Sequence, residues 1–540
     1  MKARTTTRLQ LQQLMSGESL AVGVVAAGHF ALCCFLSYAV SLGVDEAYTL
    51  ASTAHGPVHA FRQALHFELQ PPVYFVLASL WRVGGDSVFV LRLFSALCTT
   101  ATILLLPAIV RGYLPEVNWR WLTVAVAVNP LTVYAGIEAR CYGLVLLLSA
   151  VLLLSFQRAY VSLESARRRH WSFAALHLLC ALAGLLTFYP LGFLLAAQGG
   201  TLVALRRWRD SVRYAMSMAV AGLCALPLLL SVPDQLGSHT AQTTIASPPF
   251  ADAARLVAWI ARDLVLPLGW EIGEALAPAL WLTFLTAVVV ALIRRREYLW
   301  APGSLLVGML TVVTFSLLVF LARLTGTELF GPRYAVPLLL PLLLFCSHLA
   351  NVSFGRRGPI VLCCLAIAFS GPSLQARYEL LAKGGDWRRA AAFVMHHEAR
   401  GEDVVVFRPP AALGFGYYYR GDNSIVPLPC EERCEAYDVS RFVLHSTADV
   451  ATHLSTLSRH DAFWLVTENQ SAARRQRFGF DHLDDWLAAN CQLTVDARFH
   501  GSRVRQFEWK LTGQNSLLSA PPTFTDLNSN AVANAHVLQD

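Results

Sequence analysis

The sequence predicts a polytopic α-helical membrane protein with a small α/β domain at its C-terminal end. Three observations carry that reading. Only 15% of the 540 residues are charged, against about 25% in soluble globular domains. Apolar residues make up 55% of the chain, and the mean hydropathy is +0.47. The apolar residues gather into runs of membrane-spanning length, and the composition turns to that of a soluble domain after about residue 372.

Apolar runs are expected to span at 20–42, 88–110, 119–137, 141–160, 172–189, 191–205, 214–231, 276–293, 301–322, 333–350 and 359–372. That makes about eleven spans at about 20 residues each. The first follows Lys2, Arg4 and Arg8 without a convincing small-residue cleavage site, so it reads as a retained signal anchor. The run 72–81 is too short to span and reads as re-entrant or interfacial.

Charge location sets the orientation. The formal net charge is +7, but the basic residues lie in short clusters between apolar runs: Lys2 to Arg8, Arg167 to Arg169, Arg206 to Arg213, Arg294 to Arg296 and Arg356-Arg357. Counting spans from a cytoplasmic N-terminus puts all five clusters on the cytoplasmic side, as basic residues do in membrane proteins. This argues against nucleic acid as a partner. The same count places Asp45, Glu138, Arg140, Tyr189, Arg333 and the whole C-terminal part on the opposite side.

The chain is accordingly divided into a transmembrane module, 1–372, an extracytoplasmic α/β domain, 373–512, and a tail, 513–540. Within the domain, 387–397 and 480–489 read as helices, and 403–407 and 462–467 as short buried strands. The tail is rich in Ser, Asn, Pro and Ala and is expected to be disordered. Nine of the 12 cysteines lie in or beside apolar runs; Cys430, Cys434 and Cys491 lie in the polar part. An oxidising compartment would favour one disulfide among those three, its pairing unassigned. No pair has C-x2-C zinc spacing.

The chemistry concentrates at the external ends of the spans, where ionisable groups are costly unless paired or used. Asp45-Glu46-Ala47-Tyr48-Thr49 follows the first span. Next come His66-Phe67-Glu68-Leu69-Gln70-Pro71-Pro72-Val73-Tyr74, then Asp86 and Leu91-Arg92-Leu93-Phe94-Ser95. Asn129-Pro130 and Tyr134-Ala135-Gly136-Ile137-Glu138-Ala139-Arg140-Cys141-Tyr142 follow, with Thr187-Phe188-Tyr189-Pro190 and Gly331-Pro332-Arg333-Tyr334 later. Each group alone has an ordinary structural explanation: solvated loop acids, snorkelling arginines, a proline-fixed turn. Together they bring carboxylates, arginines and tyrosines to one boundary. Arginine matches phosphate geometry, and a carboxylate can take a proton from an attacking hydroxyl.

In this order the motifs D-E-x-Y-T, P-P-x-Y, L-R-L-x-S-A-L, N-P, E-A-R-x-Y and a late R-Y resemble the GT-C glycosyltransferases of family 39. These are the dolichyl-phosphate-mannose–protein mannosyltransferase type with its bacterial relatives, among them the aminoarabinose lipid A transferase. Asp386-Trp387-Arg388-Arg389-Ala390 is similar to the D-W-R-x-A that opens the C-terminal domain in many bacterial members. The resemblance runs from about Val44 to Trp509 and is weak between about Ser231 and Arg323. Where many bacterial relatives carry His before the double proline, this chain has Gln70.

The resemblance implies a membrane glycosyltransferase of a bacterial inner membrane. It would move a sugar from a polyprenyl-phosphate donor to an acceptor hydroxyl on a protein, lipid or glycan outside the cytoplasm, with inversion. Asp45 is the implied general base, with Glu46 positioning the acceptor or tuning Asp45. Arg92, Arg140 and Arg333 are the implied contacts of the donor phosphate. Tyr48, Glu138, Tyr142, Tyr189, Tyr334, His66 and Glu68 are the implied substrate-binding residues. No cofactor is assigned and no metal ligand is proposed. A divalent metal is compatible with the chemistry but no residue pattern supports it, and His396-His397-Glu398 reads as solvated helix surface. The alternative class is a polytopic lipid or glycan transporter or flippase without transferase chemistry, although no internal repeat is seen and the charges cluster at one face. The external loop 233–278 is expected to help select the acceptor.

Overall fold

The computed structural model describes residues 2–162, 167–233, 235, 302–325, 332–378, 380–435, 438–455, 457, 461–510 and 523–524, with single positions 286, 289 and 293. The expected loop 233–278, the expected span 276–293 and nearly all of the 513–540 tail lie outside the described residues. The chain divides into two compact units. One comprises Met1–Tyr38, Thr53–Leu65 and Leu69–Arg377; the other comprises Ala39–Ser52, His66–Glu68 and Tyr378–Asp540.

The first unit is helical. Five of its described helical runs are long and apolar enough to cross a membrane: Glu18–Ala39, Val88–Tyr113, Tyr142–Val161, Trp208–Leu229 and Arg333–Tyr378. Shorter apolar helices run over Val73–Gly84, Trp119–Val128, Trp171–Leu185, Leu191–Ala204 and Gly303–Leu317. The expected span 119–137 is broken into Trp119–Val128 and Pro130–Ile137. Pro130 has no N–H to continue the ladder. Asn129 turns extended and its side chain accepts from the Leu131 N–H at 2.9 Å, starting a new helix with proline in its first turn. The last helix, Gly358–Tyr378, runs past the expected end at 372 and carries Pro372 inside it.

Side-chain ties place the helix ends. At one end, Arg111 Nη1 lies 2.8 Å from Glu18 Oε2, Gln157 Nε2 donates to the Gly112 carbonyl at 3.2 Å, and Arg207 Nη1 donates to the Val161 carbonyl at 2.6 Å. His348 Nδ1 sits 3.4 Å from Glu116 Oε1 at this end as well. At the other, Arg92 Nη1 donates to the Ser37 carbonyl at 2.8 Å, and Ser95 Oγ donates to the Glu138 carbonyl at 2.6 Å. Val88–Tyr113 therefore runs antiparallel to the first helix and parallel to Tyr142–Phe156. Gly143 makes the latter packing close: a Cβ there would meet the Ser95 carbonyl oxygen at 2.8 Å and that of Ala135 at 2.9 Å.

The second unit is built on a six-stranded sheet of order β2-β1-β3-β5-β4-β6. Its strands are β1 (Val404–Phe407), β2 (Ile425–Leu428), β3 (Ala462–Glu468), β4 (Cys491–Phe499), β5 (Ser502–Trp509) and β6 (Thr523–Phe524). β2, β1 and β3 are parallel. β5 is antiparallel to β3 and to β4, and β6 pairs parallel to β4. Successive side chains of a strand face opposite sides. Val405, Phe407, Phe463 and Leu465 pack on one face with Phe480, Leu483 and Leu487. Val404, Val406, Trp464 and Val466 pack on the other with Trp387, Ala390, Val394 and Phe415. The result is a three-layer α/β arrangement whose parallel strands are covered on both sides.

The expected helices at 387–397 and 480–489 are Trp387–His397 and Phe480–Asn490, and the expected strands at 403–407 and 462–467 are β1 and β3. The β4–β5 hairpin and the helices Pro409–Tyr418, Thr447–Leu454 and Ala472–Phe478 complete the unit. The expected disulfide does not form: Cys430, Cys434 and Cys491 are free thiols. They sit in different surroundings. Cys491 opens β4 in the first sheet-face cluster. Cys434 packs against Tyr48 and Phe67. Cys430 faces the Arg441 carbonyl. Of the expected disordered tail, Thr523–Phe524 is described, as strand.

Candidate active site

Asp45 and Glu46 occupy the first turn of the helix Val44–Thr53, where the partial positive charge of a helix N-terminus favours carboxylates. Their environments differ sharply. Asp45 is exposed. Glu46 is 0% exposed; its Oε2 accepts from the Gly43 N–H at 2.9 Å and its Oε1 lies 3.3 Å from Lys383 Nζ. Thr49 Oγ1 donates to the Asp45 carbonyl at 3.2 Å. Tyr48 is buried edge-on against Phe67, ring centroids 5.0 Å apart. Ser52 Oγ donates to Glu68 Oε1 at 3.2 Å, and His66 is exposed. These five sequence-identified residues, Asp45, Glu46, Tyr48, His66 and Glu68, belong to the second unit, where short segments near the N-terminus pack with the C-terminal part.

The remaining candidates lie in the first unit. Arg92 is fully buried and its guanidinium is engaged by the Ser37 carbonyl. Glu138 and Arg140 are each 6% exposed, on the corner between Pro130–Ile137 and Tyr142–Phe156 that Ser95 ties down. The Arg140 guanidinium lies 5.8 Å from the centre of the Phe75 ring, a cation–π distance.

An aromatic chain then links the corner to the late R-Y pair. Tyr134 stacks on Tyr142 at 5.7 Å, Tyr142 meets Phe188 edge-on at 6.4 Å, and Phe188 stacks on Tyr334 at 6.2 Å. Arg333 lies over the Tyr334 ring at 5.2 Å. The structure thus links two motifs that are distant in sequence, Arg140-Cys141-Tyr142 and Arg333-Tyr334, through Phe188. Tyr189 is placed differently, its hydroxyl donating to Gln235 Oε1 at 3.1 Å.

Two participants were not singled out in the sequence as site residues. Phe188 joins Tyr142 to Tyr334; it lies inside the Thr187-Phe188-Tyr189-Pro190 turn, and its apolar side chain carried no chemical signal. Lys383 pairs with Glu46 across 337 residues of sequence and lies three residues before the D-W-R motif, the one local hint. Among the described residues no group of three or more His, Cys, Asp or Glu side chains is placed to hold a metal ion. His396 and His397 are both exposed, and His397 Nδ1 is 2.8 Å from the Phe393 carbonyl.

No family model matches the chain, and no curated protein matches it. Among solved structures, ArnT from Cupriavidus metallidurans bound to undecaprenyl phosphate superimposes with a TM-score of 0.56 at 13% identity, over 90% of this chain and 97% of that one. The apo state of the same protein gives a TM-score of 0.56 at 13% identity, over 91% and 98%. The Archaeoglobus fulgidus oligosaccharyltransferase tethered with an acceptor peptide gives 0.46 at 11% identity, over 87% and 73%. The likeness to ArnT extends over nearly the whole of both chains, and with it this protein has the GT-C fold, that of a polytopic α-helical membrane protein with a small C-terminal sheet domain.

Proposed function

We propose that this chain is a membrane glycosyltransferase that takes a sugar from a polyprenyl-phosphate donor and transfers it to an acceptor hydroxyl on the extracytoplasmic side. The observation that carries the reading is the end-to-end fold likeness to ArnT, whose structure holds undecaprenyl phosphate. The residues present suit the chemistry. Asp45 is the exposed carboxylate of the pair, and it takes the proton of the acceptor hydroxyl as the oxygen attacks the anomeric carbon. The bond from that carbon to the lipid phosphate breaks on the opposite face, so the configuration inverts. Arg140 and Arg333 neutralise the charge that builds on the leaving phosphate. Tyr142 and Tyr334 supply flat apolar faces with polar tips, suited to a sugar or a polar–apolar boundary.

The donor sugar and the acceptor, whether protein, lipid or glycan, are left open by this chemistry. The test is transfer by the full chain in membranes supplied with polyprenyl-phosphate sugars. Asp45→Asn is expected to abolish transfer while the protein remains folded. Normal transfer by that variant would reject Asp45 as the base. Lipid or glycan movement by the wild type without any sugar transfer would favour the transporter reading instead.

A further inference from the structure

The turn that presents Asp45 is built by residues from the far end of the chain. Arg388 Nη1 donates to the Ala39 carbonyl at 3.3 Å. The Ser41 N–H donates to the Leu381 carbonyl at 2.9 Å. Ser41 Oγ donates to the Gly385 carbonyl at 3.1 Å and accepts from the Lys383 N–H at 3.4 Å. The Leu42 N–H donates to the Tyr418 hydroxyl at 2.8 Å. Gly384, at φ +68°, makes the tight turn that pairs Lys383 with Gly385, a backbone conformation that suits glycine.

We propose that Lys383, acting through the buried Glu46, is a positioning residue for Asp45, so that the C-terminal part of the second unit sets the aim of the base. This rests on the transferase reading above. Glu46 is wholly buried, and a buried carboxylate holds its place only when paired. Its two oxygens are taken by Lys383 Nζ and the Gly43 N–H. Consecutive residues on a helix point about 100° apart. Pinning Glu46 inward therefore fixes the rotation of the first turn and turns Asp45 outward. The two adjacent acids divide the work: one anchors and one is presented. Lys383 is itself nearly enclosed, its side chain 12% exposed, which suits an internal anchor better than a substrate contact.

The experiment uses the full chain in nanodiscs, with Lys383→Met, Lys383→Arg, Glu46→Gln and the exchanged pair Glu46→Lys with Lys383→Glu. Three quantities are read: kcat, the KM for the polyprenyl-phosphate sugar, and hydrogen exchange of peptides covering 41–52. Lys383→Met is expected to lower kcat about ten- to a hundredfold, the range that a small misplacement of a catalytic group produces. KM changes little, and exchange in 41–52 speeds up. Lys383→Arg is expected to recover most of both effects, because the charge and the reach are kept. Wild-type kcat and exchange in Lys383→Met would overturn the proposal. A raised KM at unchanged kcat would also overturn it, by making Lys383 a substrate contact. If Lys383→Met does not fold, Glu46→Gln decides: wild-type kcat there removes Glu46 from the positioning role. A wild-type chain that transfers no sugar defeats the transferase reading, whereas unchanged exchange in the variants defeats the anchor.

Discussion

Ser95 Oγ donates to the main-chain carbonyl of Glu138 at 2.6 Å, inside the first unit and with no exposure of Ser95 to solvent. That bond holds the non-helical corner between Pro130–Ile137 and Tyr142–Phe156, from which Glu138 and Arg140 project. Ser95→Ala leaves a buried carbonyl without its hydroxyl partner, a cost of about 1–3 kcal/mol. Gly143→Ala is expected to be worse for packing, because its Cβ would press on the Ser95 and Ala135 carbonyl oxygens and the backbone would have to move. Thermal unfolding in detergent should show both variants less stable. Transfer should fall in both, since the same corner carries Arg140. An unchanged Tm in Ser95→Ala would show that the corner is held by other means.

Arg92 and Arg333 should separate on substitution, although both resemble phosphate-binding arginines. Arg92 is fully buried and bonded to the Ser37 carbonyl, so it ties the first helix to Val88–Tyr113. Arg92→Ala is expected to lower stability by about 2–3 kcal/mol, the scale of a lost hydrogen bond to a charged group, and activity falls only in parallel with folded protein. Arg333 is half-buried over Tyr334. Arg333→Ala is expected to keep its Tm and lose transfer, with the deficit in kcat if the charge acts on the leaving phosphate. Equal losses of Tm in the two variants would contradict this division.

Much of this architecture is legible in the sequence because lipid imposes it. An apolar run of spanning length has few alternatives, and short Trp387–His397 and Val404–Phe407 segments show helical and buried-strand patterns plainly. The break at Asn129-Pro130 is written in the residues, yet the surrounding apolar stretch reads as one span. The β4–β5 hairpin is hidden by its charges. Asp496, Arg498, Arg503 and Arg505 interrupt the alternation, and their place becomes clear only when Arg503 reaches diagonally across the pair to Asp496, with two N–O distances of 2.7 Å. The Glu46–Lys383 contact joins positions 337 residues apart, beyond the reach of any local pattern. Local sequence could name Asp45 and Glu46 but could not say which of them is turned to solvent.

The Asp496–Arg503 pair sets an acid limit on the second unit. The two-point hydrogen bond from Arg503 holds the Asp496 carboxyl below its ordinary value of 3.8. A carboxylate depressed in the folded state stabilises above its unfolded pKa, and that contribution is lost as pH falls through the folded value. Wild-type stability is therefore expected to drop below about pH 4 with a share that Asp496→Asn lacks. Intrinsic-fluorescence unfolding of the full chain between pH 3 and 7 measures it. Parallel curves for the two proteins across that window would remove the pair as a contributor.

The free thiols of the second unit should react in a fixed order. Burial pushes Cys434 and Cys491 up to about 12, so neither is ionised near neutral pH, and the thiolate is the reacting form. Cys430 is half-buried and less enclosed. Brief alkylation of the native protein, read by mass spectrometry, is expected to modify Cys430 before the other two, and denaturant should release all three. Reducing agent is expected to leave the Tm unchanged. A mass two units lower before reduction than after would show that a disulfide forms.

The proposed sidedness can be tested directly, because the tied helix ends fall into two sets. Glu18 with Arg111, Gly112 with Gln157, Val161 with Arg207 and Glu116 with His348 collect at one end of the first unit. Basic residues at 206–213 and at Arg356-Arg357 adjoin these same turns, and clusters of that kind stay on the cytoplasmic side. Ser37 with Arg92, Ser95 with Glu138, and the Tyr142–Phe188–Tyr334 chain collect at the opposite end. A membrane-impermeant thiol reagent should therefore label a cysteine placed at exposed Arg356 only after the cytoplasmic face is opened. A cysteine at exposed Asp45 should label in intact cells, in a background from which the exposed native cysteines have been removed. Both positions labelling from the same side would break the topology. The base assigned to Asp45 would then stand in the wrong compartment for an extracytoplasmic transfer.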